Sequence, residues 1–250
     1  MSKQNNNKKN TFLVYGYNNC LSLLERSDYK IINIQILEDK KNVFSQKIDF
    51  LKYSKLIRFL SKKDFYKKFD NIRSQGIVIN FEGPIIRNFD NYKSKNQNSC
   101  LLILDQIEDP QNAGQIIRTA ECSGIDGIIF PSHSSFKLTS TILNISQGAF
   151  VNMHLYEVTN ISTTILELKK NDYWVIGIEN NIESKVWNEI DYSGNIAIVV
   201  GSEGRGIRKK VIDHCDFLGN IPMQGITNSL NVSAAVSAIL FERLRQIKFK

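Results

Sequence analysis

Three segments of the chain gather Gly, Asn, Ser and charged residues more densely than folding alone requires. They are residues 105–118 (DQIEDPQNAGQIIR), 200–207 (VGSEGRGI) and 221–231 (IPMQGITNSLN). Two of them follow or end short apolar runs that are typical of buried strands. In an open parallel sheet, ligands bind beyond the carboxyl ends of the strands. We therefore expect the three segments to form one shared site.

The Gly-rich loop at residues 201–206 (GSEGRG) does not fit the two common nucleotide-binding motifs. A phosphate-binding Walker loop requires GxxxxGK followed by Ser or Thr, and this loop has no such Lys. A dinucleotide fingerprint requires GxGxxG, and the chain contains none. Because Glu203 would repel phosphate, the loop suits a neutral or cationic ligand, or a partner arginine.

The elements that must position these segments alternate between strand and helix. Residues 101–104, 127–130, 174–178 and 196–200 are apolar runs typical of strands buried on both faces of a parallel sheet. Between the first two, we expect a helix that Asn112 opens and Gly124 closes. A last helix, from about residue 231 to 247, places a set of apolar side chains on one stripe: Val232, Val236, Ile239, Leu240, Leu244 and Ile247.

The N-terminal part has its own α/β pattern. Residues 12–14, 31–37, 56–59 and 77–81 are predicted strands with helical stretches between them. The following residues, up to about 98, lose periodicity and gather Pro, Asn, Lys and Ser. The sequence therefore predicts a disordered polar tail at 1–10, a small α/β domain at 11–84, a linker at 85–98 and a second α/β domain at 99–250.

Charge is distributed unevenly between the two parts. Residues 1–98 hold 19 Lys and Arg against 9 Asp and Glu, a balance of +10, whereas residues 99–250 hold 13 against 16, a balance of −3. A positive field of this size favours a polyanion, and nucleic acid is the usual one. Composition bias toward Lys and Asn is the alternative explanation.

The three segments together resemble the three motifs of the SpoU family of RNA ribose methyltransferases, within the knotted SPOUT class. The first motif carries an Asn near a helix start and an Arg six residues on, here Asn112 and Arg118. The second is a Gly-x-Glu-Gly-x-Gly loop, here 201–206, and the third is IPMxG followed by SLNVS, here 221–225 and 229–233. The likeness covers residues 100–250. Weaker signatures at 14–16 and 74–78 resemble the family's RNA-binding domain, which is similar to ribosomal protein L30e.

The resemblance implies S-adenosyl-L-methionine as the methyl donor and assigns roles to named residues. Two sets follow, with Ser229 in both. The cofactor would be held by Ile178, Gly201, Gly204, Ile221, Met223, Ser229 and Leu230. The catalytic set would be Arg118, Asn112, Glu203, Ser229 and Asn231. Without the motif, Ser229 and Asn231 would be ordinary helix caps and Arg118 a solvated helix residue. Gly201 and Gly225 would permit close approach of the backbone.

Arg118 is a poor general base because a guanidinium keeps its proton in proteins. We expect it to bind the neighbouring phosphate and to stabilise negative charge developing on the ribose 2′-oxygen. Glu203 or water would then receive the proton. In the alternative that we favour for Glu203, its carboxylate pairs with Arg118 and Asn112 and orients them.

Other classes of function have no support in the sequence. The four cysteines and three histidines show no spacing typical of disulfide frameworks or metal ligands, so no metal is expected. No apolar run reaches the length of a membrane span and the start lacks the pattern of a signal peptide, so we expect a cytoplasmic protein.

The resemblance points to a guanosine 2′-O-methyltransferase acting on 23S ribosomal RNA. It also implies a homodimer and a C-terminal trefoil knot in the parallel sheet domain. One alternative is a transfer-RNA ribose methyltransferase of the same family. Another is an inactive RNA-binding factor for ribosome assembly, against which the complete set of polar motif residues argues.

Overall fold

Two β-sheets organise the chain, and each belongs to its own compact unit. The computed structural model describes residues 11–90, 92, 94, 97–180, 184–202 and 204–248. The first unit is formed by Met1–Ile85 together with Thr139–Val151, and the second by Ile86–Leu138 together with Asn152–Lys250. The predicted tail at 1–10 lies outside the described residues.

The strands and helices alternate along most of the chain. The strands are β1 Thr11–Tyr15, β2 Lys30–Leu37, β3 Ile57–Leu60, β4 Ile77–Glu82, β5 Ile86–Arg87, β6 Cys100–Asp105, β7 Gly127–Pro131, β8 Leu155–Val158, β9 Trp174–Ile178, β10 Lys185–Val186, β11 Ile196–Gly201 and β12 Phe217–Asn220. The helices are α1 Tyr17–Leu24, α2 Lys41–Ser45, α3 Lys62–Phe69, α4 Pro110–Ser123, α5 Ser140–Ile145, α6 Ile161–Lys170, α7 Lys209–Ile212 and α8 Val232–Lys248.

The first unit is built on a four-stranded sheet in the order β1-β4-β2-β3. Strand β4 pairs antiparallel with β1 and β2, and β2 pairs parallel with β3. The four strands predicted for this part are all present. Strands β1 and β3 are the two edges of the sheet.

A segment that we expected in the second domain packs in the first unit instead. Helix α5 lies against β1, where the Asn144 side chain donates to the Leu13 carbonyl at 2.9 Å and accepts from the Tyr15 amide at 2.8 Å. The Ser140 hydroxyl accepts from the Leu13 amide at 2.9 Å. These bonds satisfy the outer backbone groups of an edge strand, which is why residues 139–151 belong with the first sheet.

The second unit contains an eight-stranded sheet in the order β10-β12-β9-β11-β6-β7-β8-β5. Every pair of neighbouring strands in it is parallel. All six residues of β6 and the first five of β11 are buried, as expected for central strands covered on both faces. The predicted α/β class with a parallel sheet is confirmed. Residues 86–87, predicted as linker, form the edge strand β5 of this sheet.

Helix α4 begins two residues earlier than the sequence predicted. Its cap is Asp109, whose carboxylate accepts hydrogen bonds from the amides of Gln111 and Asn112, and Pro110 occupies the first helical position. Asn112 therefore does not open the helix. Gly124 closes it in the left-handed conformation, with φ of 69°, as predicted.

Helix α8 packs on α4 and buries four of its predicted apolar positions, Val232, Val236, Ile239 and Leu240. Further along, Arg243 and Gln246 are buried while Leu244 and Ile247 are only half-buried, contrary to the predicted stripe. Polar partners explain the difference. The Gln246 amide accepts from the Tyr192 backbone and donates to the Ile190 carbonyl, and Arg243 donates to the Asn98 carbonyl. None of the described helices has the length and apolar character needed to cross a bilayer.

Candidate active site

A cleft of about 270 Å³ opens at the carboxyl ends of β6 and β11, in the second unit. The loop after β6, the Gly-rich loop and the first residues of α4 and α8 form its walls. The lining residues are Gln106, Ile107, Glu108, Asp109, Asn112, Ser202, Gly204, Arg205 and Val232. Parallel sheets bind ligands at this edge, so the cleft is the candidate active site.

A hydrogen bond between two asparagines joins the first and third segments at the cleft. The Asn231 side-chain amide donates to the Asn112 side-chain oxygen at 2.9 Å. The Asn231 oxygen in turn accepts from the Ser233 amide at 2.9 Å, which caps α8. Asn112 is nearly buried on α4. Asn231 is thus both a helix cap and a partner of the first motif.

The Gly-rich loop folds back on itself so tightly that residue 201 must be glycine. Ser202 and Gly206 form an antiparallel bridge in which the Gly206 amide donates to the Ser202 carbonyl at 2.9 Å. A Cβ atom on Gly201 would lie 2.0 Å from the Gly206 carbonyl carbon. A Cβ on Gly204, by contrast, would meet no described atom within 4 Å. The backbone of Gly204 is therefore open to a ligand.

Two carboxylates hold the end of this loop, and neither was predicted. The Glu179 carboxylate accepts from the Ile207 amide at 2.7 Å. Asp105, fully buried at the end of β6, accepts from the backbone and side chain of Arg208 at 2.6 to 2.8 Å. Both acids directly follow or end an apolar strand. That placement was a usable signal, because a charged residue at a buried strand end requires a partner.

The third segment, residues 221–231, has no regular secondary structure. Ile221 and Met223 are half-buried, whereas the side chains of Ile226 and Leu230 are exposed. A Cβ on Gly225 would meet no described atom within 4 Å, so the expected close approach at this glycine is not made within the described chain. The segment offers backbone groups and exposed apolar side chains beside α8.

Arg118 lies apart from the cleft of its own chain. It is exposed, forms no hydrogen bond or ion pair with another described residue, and does not line the cleft. Six residues separate it from Asn112, which places it about 9 Å further along α4 and on a different face. The structure therefore does not bring the two side chains of the first motif together.

The predicted site residues divide into three groups. Asn112 and Gly204 line the cleft, while Asn231 adjoins it through its hydrogen bond to Asn112 and Gly201 through its chain neighbour Ser202. A second group does not line it in the described part of the chain: Arg118, Ile178, Ile221, Met223, Ser229 and Leu230. Glu203 lies outside the described residues. Its assigned roles stay predictions.

Two thiols of the second unit, the buried Cys100 and the half-buried Cys215, are unsuited to nucleophilic chemistry at neutral pH. Burial raises the pKa of Cys100 and of Cys215 to about 12. No group of three His, Cys, Asp or Glu that could hold a metal occurs among the described residues, and the absence of a metal stays a prediction.

Comparison with known proteins gives consistent matches. The model of the SpoU rRNA Methylase family matches residues 99–241. A TrmH family tRNA/rRNA methyltransferase of Staphylococcus aureus is 40% identical over 216 residues, 85% of this chain and 84% of that protein. A solved TrmH family RNA methyltransferase from Porphyromonas gingivalis has a TM-score of 0.75 at 22% identity, over 94% and 90% of the two chains. An AdoMet-bound rRNA methyltransferase from Sinorhizobium meliloti has a TM-score of 0.78 at 20% identity, over 96% and 88%.

The parallel sheet, with the three motifs after its strands, and the family match over residues 99–241 define the SPOUT class of methyltransferases. Within that class, the chain belongs to the SpoU family, also called TrmH, of RNA methyltransferases. The resemblance stated from the motifs is confirmed.

Proposed function

We propose that this RNA methyltransferase transfers the methyl group of S-adenosyl-L-methionine to the ribose 2′-oxygen of a guanosine in 23S ribosomal RNA. The observation that carries the proposal is the Asn112–Asn231 hydrogen bond beside the Gly-rich loop. It joins the first motif to the third at the mouth of one cleft. Capping of α8 requires only the Asn231 side chain, so it does not explain why Asn231 also bonds to an asparagine at position 112.

The cleft residue Gly204 and the third motif, which adjoins the cleft at Val232, support an adenosine-containing cofactor. Gly204 leaves its backbone open, and the exposed Leu230 supplies an apolar surface for a purine ring. Backbone groups of Ile221, Met223 and Leu230, in a segment without regular hydrogen-bonded structure, would bind the adenosine and methionine portions. Gly201, Ile178 and Ser229 complete the proposed cofactor set. When bound, the cofactor supplies a methyl group on a positively charged sulfur.

The chain's own residues would orient the ribose and manage its proton. Transfer of that methyl group would require the ribose 2′-oxygen to be held in position and its proton to be accepted. Arg118 would bind the adjoining phosphate and stabilise negative charge on the oxygen. Asn112 and Asn231 would position the ribose, and Glu203 or water would accept the proton. Much of the acceleration would come from holding the two atoms in line.

An RNA substrate follows from the chemistry, because DNA lacks a 2′-hydroxyl. Ribosomal RNA is favoured by the strongly basic first unit, which a substrate of large size and charge would engage. The Staphylococcus relatives carry names that join tRNA and rRNA, so transfer RNA is the second candidate.

The test is transfer of a labelled methyl group to purified 23S ribosomal RNA and to transfer RNA, side by side. We expect label in the ribosomal RNA, and a gap at one guanosine in its alkaline ladder, because a ribose methyl blocks cleavage of the adjoining bond. Label in transfer RNA alone would show that the substrate is transfer RNA and not ribosomal RNA. If calorimetry detected no binding of S-adenosyl-L-methionine, the remaining candidate would be an inactive RNA-binding factor for ribosome assembly.

Three further features of the family are proposed with this function. They are a homodimer, a trefoil knot in the C-terminal parallel-sheet domain, and a cytoplasmic location. In a homodimer, the exposed Arg118 side chain of one copy would contribute to the cleft of the second copy.

A further inference from the structure

One stretch of the first unit holds the whole chain's excess of positive charge. Residues 40–63, here called the basic segment, contain eight Lys and Arg and a single acid, a balance of +7. Because the complete chain also carries +7, the remaining 226 residues sum to zero. The segment comprises α2, the loop after it, the edge strand β3 and the start of α3.

The charges of the basic segment are available to a ligand. All eight Lys and Arg side chains are exposed, and none forms an ion pair with a described carboxylate. Its one acid, Asp49, accepts from the amides of Leu51 and Lys52 at 3.0 Å and so serves the local turn. Glu38 and Asp39 lie just before the segment and are exposed.

An aromatic cluster lies among these charges. The Phe59 ring is 37% exposed on β3, and the Phe50 ring meets it edge-on with centroids 5.5 Å apart. The ammonium group of Lys41 lies 5.0 Å from the centre of the Phe59 ring. The Lys52 ammonium lies 4.9 Å from the Tyr53 ring in the same loop.

We propose that the basic segment is a binding surface for single-stranded RNA, with a base stacked on Phe59 and phosphates bound by Lys41, Lys47, Lys52 and Lys55. Exposed aromatic rings set among unpaired cations are the pattern of single-strand binding, in which stacking tolerates any base. The other edge strand of this sheet, β1, is covered by α5, whereas the edge strand β3 is part of the basic segment and carries the exposed Phe59. The proposal rests on the proposed function, since it names where that enzyme's RNA substrate is held.

Protection of an edge strand from pairing with another chain is the competing explanation for lysines at this place. It requires charge but no exposed aromatic ring. A binding site for an acidic protein likewise requires charge and gains nothing from stacking. The role of Phe59 therefore separates the proposal from both alternatives.

The test is fluorescence anisotropy of a labelled 12-nucleotide single-stranded RNA of mixed sequence with the full chain. Phe59→Leu keeps the apolar contact and the charge, and should weaken binding about tenfold, the scale of one lost stacking contact. The double variant Lys41→Gln/Lys52→Gln should lower the slope of log affinity against log salt by about 1.4, as two lost phosphate contacts do. Thermal unfolding of each variant shows that it remains folded.

The matched control is Lys30→Gln/Lys67→Gln, which removes the same charge from elsewhere in the first unit. We expect it to alter the slope little. Equal effects of the two double variants, or unchanged binding in Phe59→Leu, would overturn the proposal. Equal affinity of wild type for polyglutamate would do the same. Labelled-methyl transfer by the wild type is measured separately. RNA binding without methyl transfer would contradict the proposed function. Methyl transfer by the wild type, with RNA binding unchanged in the Phe59 and Lys41/Lys52 variants, would contradict the proposed surface alone.

Discussion

The Asn112–Asn231 contact is a hydrogen bond between two side chains that are 119 residues apart in the sequence. Replacing either with Ala should lower the free energy of unfolding by about 1 to 2 kcal/mol, since the partner loses a bond near the protein interior. A double-mutant cycle in urea should give a coupling free energy of about 1 kcal/mol. Additive effects of the two substitutions would show that the bond is not formed in solution.

Arg118→Lys should lower the single-turnover rate of methyl transfer by about a hundredfold. Lys retains the charge but loses the planar pair of donors that a phosphate and a developing oxyanion require. Glu203→Gln should retain most of the rate if Glu203 only orients its neighbours. Rapid-quench measurements with labelled cofactor compare the two. A severe loss in Glu203→Gln beside a mild one in Arg118→Lys would make Glu203 the base.

The four thiols should differ sharply in reactivity. Cys122 is exposed, while burial raises the pKa of Cys20, Cys100 and Cys215, the last two to about 12. At pH 8 we expect one fast-reacting thiol per native wild-type chain with Ellman's reagent and none in native Cys122→Ser. The denatured wild-type chain should show four.

The raised pKa values of the three other thiols also predict how stability depends on pH. Their contribution to stability is present below about pH 9 and is lost as pH rises toward 12, so the urea midpoint should fall across that range.

Residue types and spacing predicted the members of the site better than their contacts. Asn112 was assigned to the start of α4, yet the Asp-Pro pair at 109–110 provides the stronger local signal for a cap. Glu179 and Asp105 were missed because each acts on backbone groups distant in the sequence. Such contacts are set by the order of strands in the sheet, which no local pattern contains.

At the scale of elements, the Gly-rich loop allows a comparison of two glycines three residues apart. Gly201→Ala should destabilise the fold and weaken cofactor binding at least tenfold, because its Cβ would overlap the Gly206 backbone. Gly204→Ala meets open space and should leave stability within about 0.5 kcal/mol of wild type. Thermal unfolding and calorimetry with S-adenosyl-L-methionine report both effects. Equal stability of the two variants would contradict the tight loop.

The four strands of the first sheet and the four inner strands of the second were predictable, whereas the outer strands of the second sheet and the limits of the helices were less so. Buried parallel strands require uninterrupted apolar runs, and those of β6, β7, β9 and β11 were read directly from the sequence. The outer strands β5, β8, β10 and β12 are less fully buried and were not predicted. Helix α8 departs from its predicted stripe because Arg243 and Gln246 find backbone partners at Asn98, Tyr192 and Ile190. Periodicity identifies apolar faces, but it does not identify polar side chains that become buried through such bonds.

At the scale of the whole molecule, the position of Arg118 predicts complementation between inactive copies. Arg118→Ala and Asn231→Ala chains, unfolded and refolded together in equal amounts, should recover about a quarter of wild-type activity. In the proposed homodimer, half of the randomly formed dimers would be mixed, and each would contain one complete cleft if Arg118 serves its neighbour. Separate refolding of each variant is the control. No recovery on mixing would place Arg118 in the cleft of its own chain.

The first unit is assembled from two stretches of chain, and this has a consequence during synthesis. Its sheet is complete once residue 85 has been made. Helix α5, which binds the backbone of β1, belongs to the second stretch, Thr139–Val151. The ribosome must add 59 further residues, from 86 to 144, before both partners of Leu13 exist, which takes about 3 to 12 seconds at 5 to 20 residues per second. Throughout that interval the amide and carbonyl of Leu13 lack their eventual partners. The nascent protein therefore emerges with an unprotected strand edge, and its N-terminal half reaches its final form only after part of the methyltransferase fold has been translated.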